Sequence, residues 1–278
     1  MDGSPMRRAR RAQVARNAAL TGICLLVFYP FLMLVQLSVK DHYQVEHRPW
    51  WPELPFHWDN YAVAWATVGK FVFNSIVVSG VAGVVMIAVA SLAAYVFARQ
   101  SFPGRELLYN AIIALMMVPG ILTLIPLFIL VKDIGLLDSY WGLILPYVAG
   151  GQVVGIFLLR QFFAGLPEEL FEAARIDGAG ELTILLRIVV PLSWPILGTL
   201  AIIHILYTWN DLIWPLVVIS DQGLKTLTIG LLVFRGSYIA NWGPLFAGYF
   251  IAAVPLLLLF VFANRLFIRG LTSGALKM

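Results

Sequence analysis

The sequence predicts an all-α integral membrane protein with six transmembrane helices, on three observations. First, 60% of its 278 residues are hydrophobic and only 12% are charged, against about 45–50% apolar in soluble domains. Second, the apolar residues lie in long runs. Charge-free intervals of at least 21 residues occupy 17–39, 71–98, 107–131, 139–159, 188–210 and 236–264. Each is long enough to cross a hydrocarbon layer of about 30 Å at 1.5 Å per helical residue. A transmembrane β-barrel would show shorter, alternating segments. Third, one charged segment interrupts the series. Residues 160–187 hold Arg160, Glu168, Glu169, Glu172, Arg175, Asp177, Glu181 and Arg187, eight charges in 28 residues.

Six spans place both termini on one side. Arg7, Arg8, Arg10, Arg11, Arg16, Arg99, Arg105, Arg160, Arg175, Arg187, Arg265, Arg269 and Lys277 share that side. Lys40, Arg48, Lys70, Lys132, Lys225 and Arg235 fall opposite. The excess of basic residues predicts that both termini are cytoplasmic. The net charge of +4 therefore follows topology, because the arginines flank apolar spans. It is no argument for a nucleic-acid partner.

Residues 1–16 form a basic arm, and 17–39 reads as an uncleaved first span, longer than the apolar core of a secretory signal. Cys24, the single cysteine, is expected to pack as a small hydrophobe. Residues 40–70 make an external segment with Trp50, Trp51, Trp58 and Trp65, residues that favour the headgroup layer. Asn60 is expected to cap a short interfacial helix running toward Lys70. His42, His47 and His57 share no helix face and read as solvated loop residues, with metal ligation the alternative.

Short turns at 99–106 and 132–138 join the second, third and fourth spans. Pro119, Pro126, Pro146, Pro195 and Pro255 sit in or beside spans and remove backbone donors, so these helices should bend against partners. After Tyr207-Thr208-Trp209-Asn210-Asp211-Leu212-Ile213-Trp214-Pro215 comes an external stretch, expected to be polar, as far as Asn241. The sixth span leads to a short tail at 268–278.

Within the charged segment, Pro167 suits a first helical turn, and Glu168 and Glu169 complement the positive end of a helix dipole. Leu170, Phe171 and Ala174 give a small apolar face. Gly178 and Gly180 supply a left-handed stop. A helix of roughly ten residues is expected, about 15 Å long. A second helical stretch follows through Leu182, Leu185, Leu186 and Val189, ended or kinked by Pro191. An amphipathic helix lying on a membrane surface is usually rich in Lys and Arg. This segment is net acidic, which favours a protein-binding knob, with Phe171 expected on its exposed side.

The run Glu172-Ala173-Ala174-Arg175-Ile176-Asp177-Gly178-Ala179, with Ile188-Val189-Val190-Pro191 and Pro195 behind it, resembles the EAA loop of ATP-binding-cassette importer permeases. Its Asp-Gly-Ala version resembles the carbohydrate-uptake branch. The Trp209-Asn210-Asp211…Pro215 run, the tail Gly270-Leu271-Thr272-Ser273-Gly274-Ala275-Leu276-Lys277 and the six-span layout are similar to the maltose-type second permease subunit.

That resemblance implies a six-span permease domain over 17–267, with a cytoplasmic coupling-helix loop at 160–190. It implies that Glu168, Glu169, Phe171, Glu172, Ala173, Ala174, Asp177 and Gly178 dock a cytoplasmic ATPase, Glu172 and Gly178 centrally, and that the tail around Ser273, Gly274 and Lys277 reaches the ATPase as well. The implied partners are a second six-span permease subunit, two ATPase subunits that hold ATP and magnesium, an extracellular or periplasmic solute-binding protein, and the lipid of a bacterial or archaeal plasma membrane. The implied function is import of a sugar or oligosaccharide. A glycerol-phosphate-type polyol derivative and, in another class, a self-sufficient transporter or channel are the alternatives.

The remaining chemistry agrees. No phosphate loop of the type G-x-x-x-x-G-K-[ST] is present. No nucleophile–base or paired-carboxylate arrangement is legible, so no catalytic residue is expected and no metal site. Proton-coupled carriers rely on carboxylates inside the membrane. Here His204 is the notable ionisable residue within the charge-free intervals, and Asp211 lies just beyond the fifth. Trp209, Asn210, Asp211 and Trp214 offer aromatic faces and planar polar groups for sugar hydroxyls. They equally serve as interfacial anchors and as partners for backbone groups freed near Pro215. Asn74 and His204 are further pathway candidates that ordinary bundle hydrogen bonding explains equally well.

Overall fold

The computed structural model describes residues 4–237 and 241–275, and all the regular structure among them is helical. Helix α1 (Ser4–Ser38) carries the basic arm and the first span without a break. α2 (His42–His47) is a short helix in the segment that follows the first span. α3 (Asp59–Arg99) contains the second span in 41 residues. α4 (Arg105–Ala114) and α5 (Leu124–Asp133) share the third interval. α6 (Tyr140–Ala164) is the fourth span.

α7 (Glu168–Ile176) lies in the charged segment. α8 (Glu181–Ile184) runs through a π-helical turn at Leu185–Val189 into α9 (Val190–Leu192), and α10 (Trp194–Asn210) follows. α11 (Ile213–Val218), α12 (Leu227–Ser237) and α13 (Trp242–Ala275) complete the chain.

Among the described residues, four helices are individually long and apolar enough to cross a membrane, and the third and fifth intervals are bent pairs. The first pair turns by 96° between Met117 and Gly120. Val118 there is extended (ψ 115°) because the Pro119 ring disfavours helical backbone in the residue before it. The second pair turns by 79° at Ser193. Pro191 stands one residue before the end of the first helix of that pair at Leu192, in line with a proline that ends or kinks it. It sits inside α9, and the bend comes two residues later, where Ser193 keeps ψ near 5° and Pro195 opens α10. Pro30, Pro146 and Pro255 lie inside helices that continue past them.

The fold has two compact units, Met1–Val68 with Val233–Ala253, and Gly69–Leu232 with Val254–Met278. In the first, the segment after α1 is tied down by buried polar side chains. Lys40 is fully buried. Its Nζ donates to the carbonyls of Arg48 and Trp51, the latter at 2.6 Å. Burial pushes its pKa below the ordinary lysine value, and Glu53 opposes the shift.

Asp41 and Gln44 form a reciprocal cap on α2. Asn60 does not cap a separate helix. It lies in the first turn of α3, buried, and its Nδ2 donates to the carbonyls of Ser38 and Lys40 at 3.0 and 2.9 Å. His42 and His57 are half-buried rather than solvated. His42 Nε2 is 3.3 Å from Glu46, and His57 Nε2 is 3.6 Å from Asp41. Among the described residues no three His, Cys, Asp or Glu side chains gather to hold a metal ion.

Cys24 is exposed, not packed, among the exposed Leu20, Leu26 and Leu32 of α1. The stretch after Pro215 is not simply polar, because α12 buries Leu227 and Ile229.

The second unit has its core where α3, α6, α7, α8 and α10 meet. Met86, Ala90, Leu159, Phe163, Phe171, Ile184 and Leu200 are buried there. Small residues allow the close approach: a Cβ on Gly151 would meet Met86 Cγ at 2.7 Å and His204 Cε1 at 2.8 Å.

Candidate functional site

A nine-residue helix is too short to persist alone in water, so α7 depends on what it packs against. Its buried side chains are Phe171 and Ala174, three residues apart on one face. Phe171 is therefore a root, not the exposed knob expected from the sequence. Its burial contributes about 1.5–3 kcal/mol. The other side exposes Glu169, Glu172, Ala173 and Ile176. Ile176 is 85% exposed and is the apolar tip of the segment.

The turn that stops α7 is built by Gly178. Its φ is +78°, a conformation costly for residues with a Cβ. Gly178 N–H donates to the Arg175 carbonyl (3.0 Å) and Ala179 N–H to that of Ala174 (2.9 Å), the paired bonds of a Schellman cap. Gly180 keeps a negative φ of −75° and is not part of the left-handed stop. Pro167 precedes the helix as its N-cap rather than entering its first turn.

A residue outside the predicted set anchors α7. Arg99, the last residue of α3, donates from Nη2 to the carbonyls of Phe163 and Leu166 at 2.6 Å each. Its Nη1 donates to Glu168 Oε2 at 2.6 Å. Its guanidinium carbon stands 3.9 Å from the centre of the Phe171 ring. One turn earlier, Tyr95 O–H donates to Glu181 Oε2 at 2.5 Å. Arg175 reaches Glu168 and Glu181 at 3.4 Å, but these pairs are exposed and contribute little. The Arg99 role has a weak signal in the sequence: an arginine at the end of a span, read only as a topology marker.

The second feature is a cavity of about 670 Å³ bounded by α3, the break between α4 and α5, α6, α10 and α11. Its volume falls in the range of small-molecule sites. Tyr147, Tyr207 and Trp214 give it aromatic walls, and its one charged lining residue is Asp211. Asp211 Oδ2 accepts from Tyr147 O–H at 2.9 Å, and Oδ1 accepts from Ile213 N–H at 3.0 Å and Trp214 N–H at 3.4 Å. The carboxylate thus caps the start of α11, the backbone-satisfying alternative.

Of the predicted pathway residues, His204 and Asp211 line this cavity. His204 Nε2 is buried without a hydrogen-bond partner among the described residues. Asn74, Trp209 and Asn210 are not in the lining. Asn74 ties down the turn before α12, donating to Gly223 and Lys225 carbonyls and accepting from Tyr140 O–H. Trp209 is buried, and Asn210 donates back to the Leu206 carbonyl of its own helix. Of the predicted tail contacts, Ser273 and Gly274 lie in the last turns of α13, while Lys277 lies outside the described residues.

A sequence profile described as the binding-protein-dependent transport system inner membrane component matches residues 86–273. The diacetylchitobiose uptake system permease protein NgcG of Streptomyces coelicolor is 34% identical over 274 residues, covering 96% of this chain and 90% of that protein. The melibiose/raffinose/stachyose import permease protein MelC of Bacillus subtilis is 33% identical over 254 residues, covering 90% and 91%. Among solved structures, a chain from a bacterial ABC transporter involved in import of the acidic polysaccharide alginate superposes with a TM-score of 0.81. It is 22% identical and covers 94% of this chain and 98% of that one.

Proposed function

The chain belongs to the family of binding-protein-dependent transport system inner membrane components, and from that premise we propose that it is a transmembrane permease subunit of an ATP-driven sugar or oligosaccharide importer. α7 is the coupling helix. Its exposed Glu169, Glu172, Ala173 and Ile176 meet a cytoplasmic ATPase subunit, with Asp177 and Gly178 at the edge of the contact. Glu168 works from the helix start, and Phe171 and Ala174 hold the helix from beneath.

ATP and magnesium belong to that partner, two copies of which serve this chain and a second six-span permease. A solute-binding protein delivers the sugar from outside, and both termini face the cytoplasm. The arginine-rich internal ends support the orientation.

The single observation that carries the coupling role is the two-sidedness of α7: a buried aromatic root, with acidic and apolar side chains turned outward. Sugar import is supported by the diacetylchitobiose uptake and the melibiose, raffinose and stachyose import of the relatives and by the aromatic, weakly charged cavity. An anionic glycerol-phosphate derivative would call for Arg or Lys in the lining, and the lining residues include neither.

The test is the double variant Glu172→Lys with Gly178→Pro in the assembled importer, reconstituted in proteoliposomes. Membrane insertion should be retained while ATP hydrolysis is disconnected from uptake. Coupled uptake at the wild-type rate would overturn the assignment of α7.

A further inference from the structure

A short helix can shift without moving anything else unless a stiff connection ties it to a span. The covalent connections of α7 are poor candidates. It is joined to α6 through Gly165-Leu166-Pro167 and to α8 through Asp177-Gly178-Ala179-Gly180, links that contain three glycines. Resting on the coupling role proposed for α7, we infer that Arg99 is the positioning residue that makes α7 and the adjoining ends of α3 and α6 one rigid lever, so that a displacement of α7 is delivered to a span that lines the cavity.

The geometry is that of a strut. The Arg99 side chain is only 9% exposed. Its planar fork reaches acceptors in three places at once: the end of α6, the connecting turn and the first residue of α7. Its flat face covers the aromatic root of α7. A guanidinium meets these demands together, whereas an ammonium is a point charge with neither fork nor face.

Tyr95 lies four residues earlier, on the same side of α3, and holds Glu181 at the start of α8. The two side chains of α3 therefore grip the chain on both sides of the Gly178 turn. Arg160 of α6 reinforces the far side. It stacks 3.7 Å over Tyr109 of α4 and donates to the Phe97 carbonyl of α3. α3 then runs from Arg99 to Met86 in the cavity wall, 13 residues or about 20 Å of helix. Coupling over such a distance is carried by rigid elements and hydrogen-bonded connections of this kind.

The test uses the complete importer with Cys24→Ser and spin labels at Leu92→Cys on α3 and Leu170→Cys on α7. Distances are measured without nucleotide and after trapping with ATP and vanadate. With Arg99 present, the 92–170 distance should be the same in both states. With Arg99→Gln it should match the wild type without nucleotide, then shift on the order of 2 Å or more on trapping. ATPase subunits should co-purify as before and basal hydrolysis should persist. Arg99→Lys, which keeps the charge but not the fork, should shift less.

An invariant distance in Arg99→Gln overturns the inference. So does a distance already altered without nucleotide, the mark of a plain structural brace, or a distance that moves with Arg99 intact. Failure of the coupling reading is seen separately, as a Glu172→Lys importer that retains and couples its ATPase like the wild type.

Discussion

Arg99 and Lys40 are both buried cations bonded largely to backbone carbonyls, yet they join very different things. The carbonyl partners of Lys40 lie 8 and 11 residues ahead in the same loop. Arg99 reaches across 64 to 69 residues, to the end of one helix and the beginning of another. A compact ammonium closes a local loop, and a planar fork with an aromatic face bridges separate elements. The contrast teaches that the same burial of charge is local scaffolding in one place and a bridge between separate helices in the other.

The contrast is open to direct attack. Phe171→Ala removes the ring beneath Arg99 and leaves a cavity in the core. It should cost about 3–5 kcal/mol, read as a lowered thermal midpoint, and should open the 160–190 segment to protease. Lys40→Met removes the donor to two loop carbonyls and should cost about 1–3 kcal/mol in all. Limited proteolysis should then cut between residues 41 and 58, while nucleotide-driven coupling stays intact. Loss of coupling in Lys40→Met would erase the distinction between the two cations.

Gly178→Ala imposes a Cβ on a left-handed backbone and should cost about 1–2 kcal/mol. Thermal denaturation checks it, and the Phe171 packing should survive. Glu172→Lys lies on the exposed face and should change stability by no more than about 0.5 kcal/mol. It should nevertheless release the ATPase on co-purification, separating docking from folding.

Much of this molecule is legible in its charge pattern. The six charge-free intervals mark where apolar helices fall, because a span excludes charge along its whole length. The start of α7 at Glu168 and its stop at Gly178 follow from dipole and cap chemistry. The bends do not follow so simply. Five prolines mark weak points, but Pro146 and Pro255 lie in continuous helices while the chain breaks before Pro119 and at Ser193. A missing backbone donor permits a bend, and whether one occurs depends on the neighbours that take up the freed groups.

Orientation about the α7 axis was equally hidden. Phe171 and Ile176 are both apolar and five residues apart, well round the helix from each other at about 100° per residue. Local pattern offered either as the outward side chain. The decision came from partners outside α7, the apolar core that buries Phe171 and Arg99 that covers its ring, leaving Ile176 outside. Asn210 and Asp211 divide in the same way. Adjacent in sequence and similar in chemistry, one bonds back to its own helix and the other caps α11 in the cavity wall.

By itself, then, the sequence determined a six-interval helical membrane protein, the place of its charged segment and the residues that begin and end α7. Those features depend on exclusion of charge from lipid and on local backbone chemistry, both of which act over a few residues. Only the tertiary structure decided which spans bend, which face of α7 is root and which is surface, and which polar side chains are occupied in holding the fold. Those outcomes depend on partners tens of residues away, and no local pattern carries their positions.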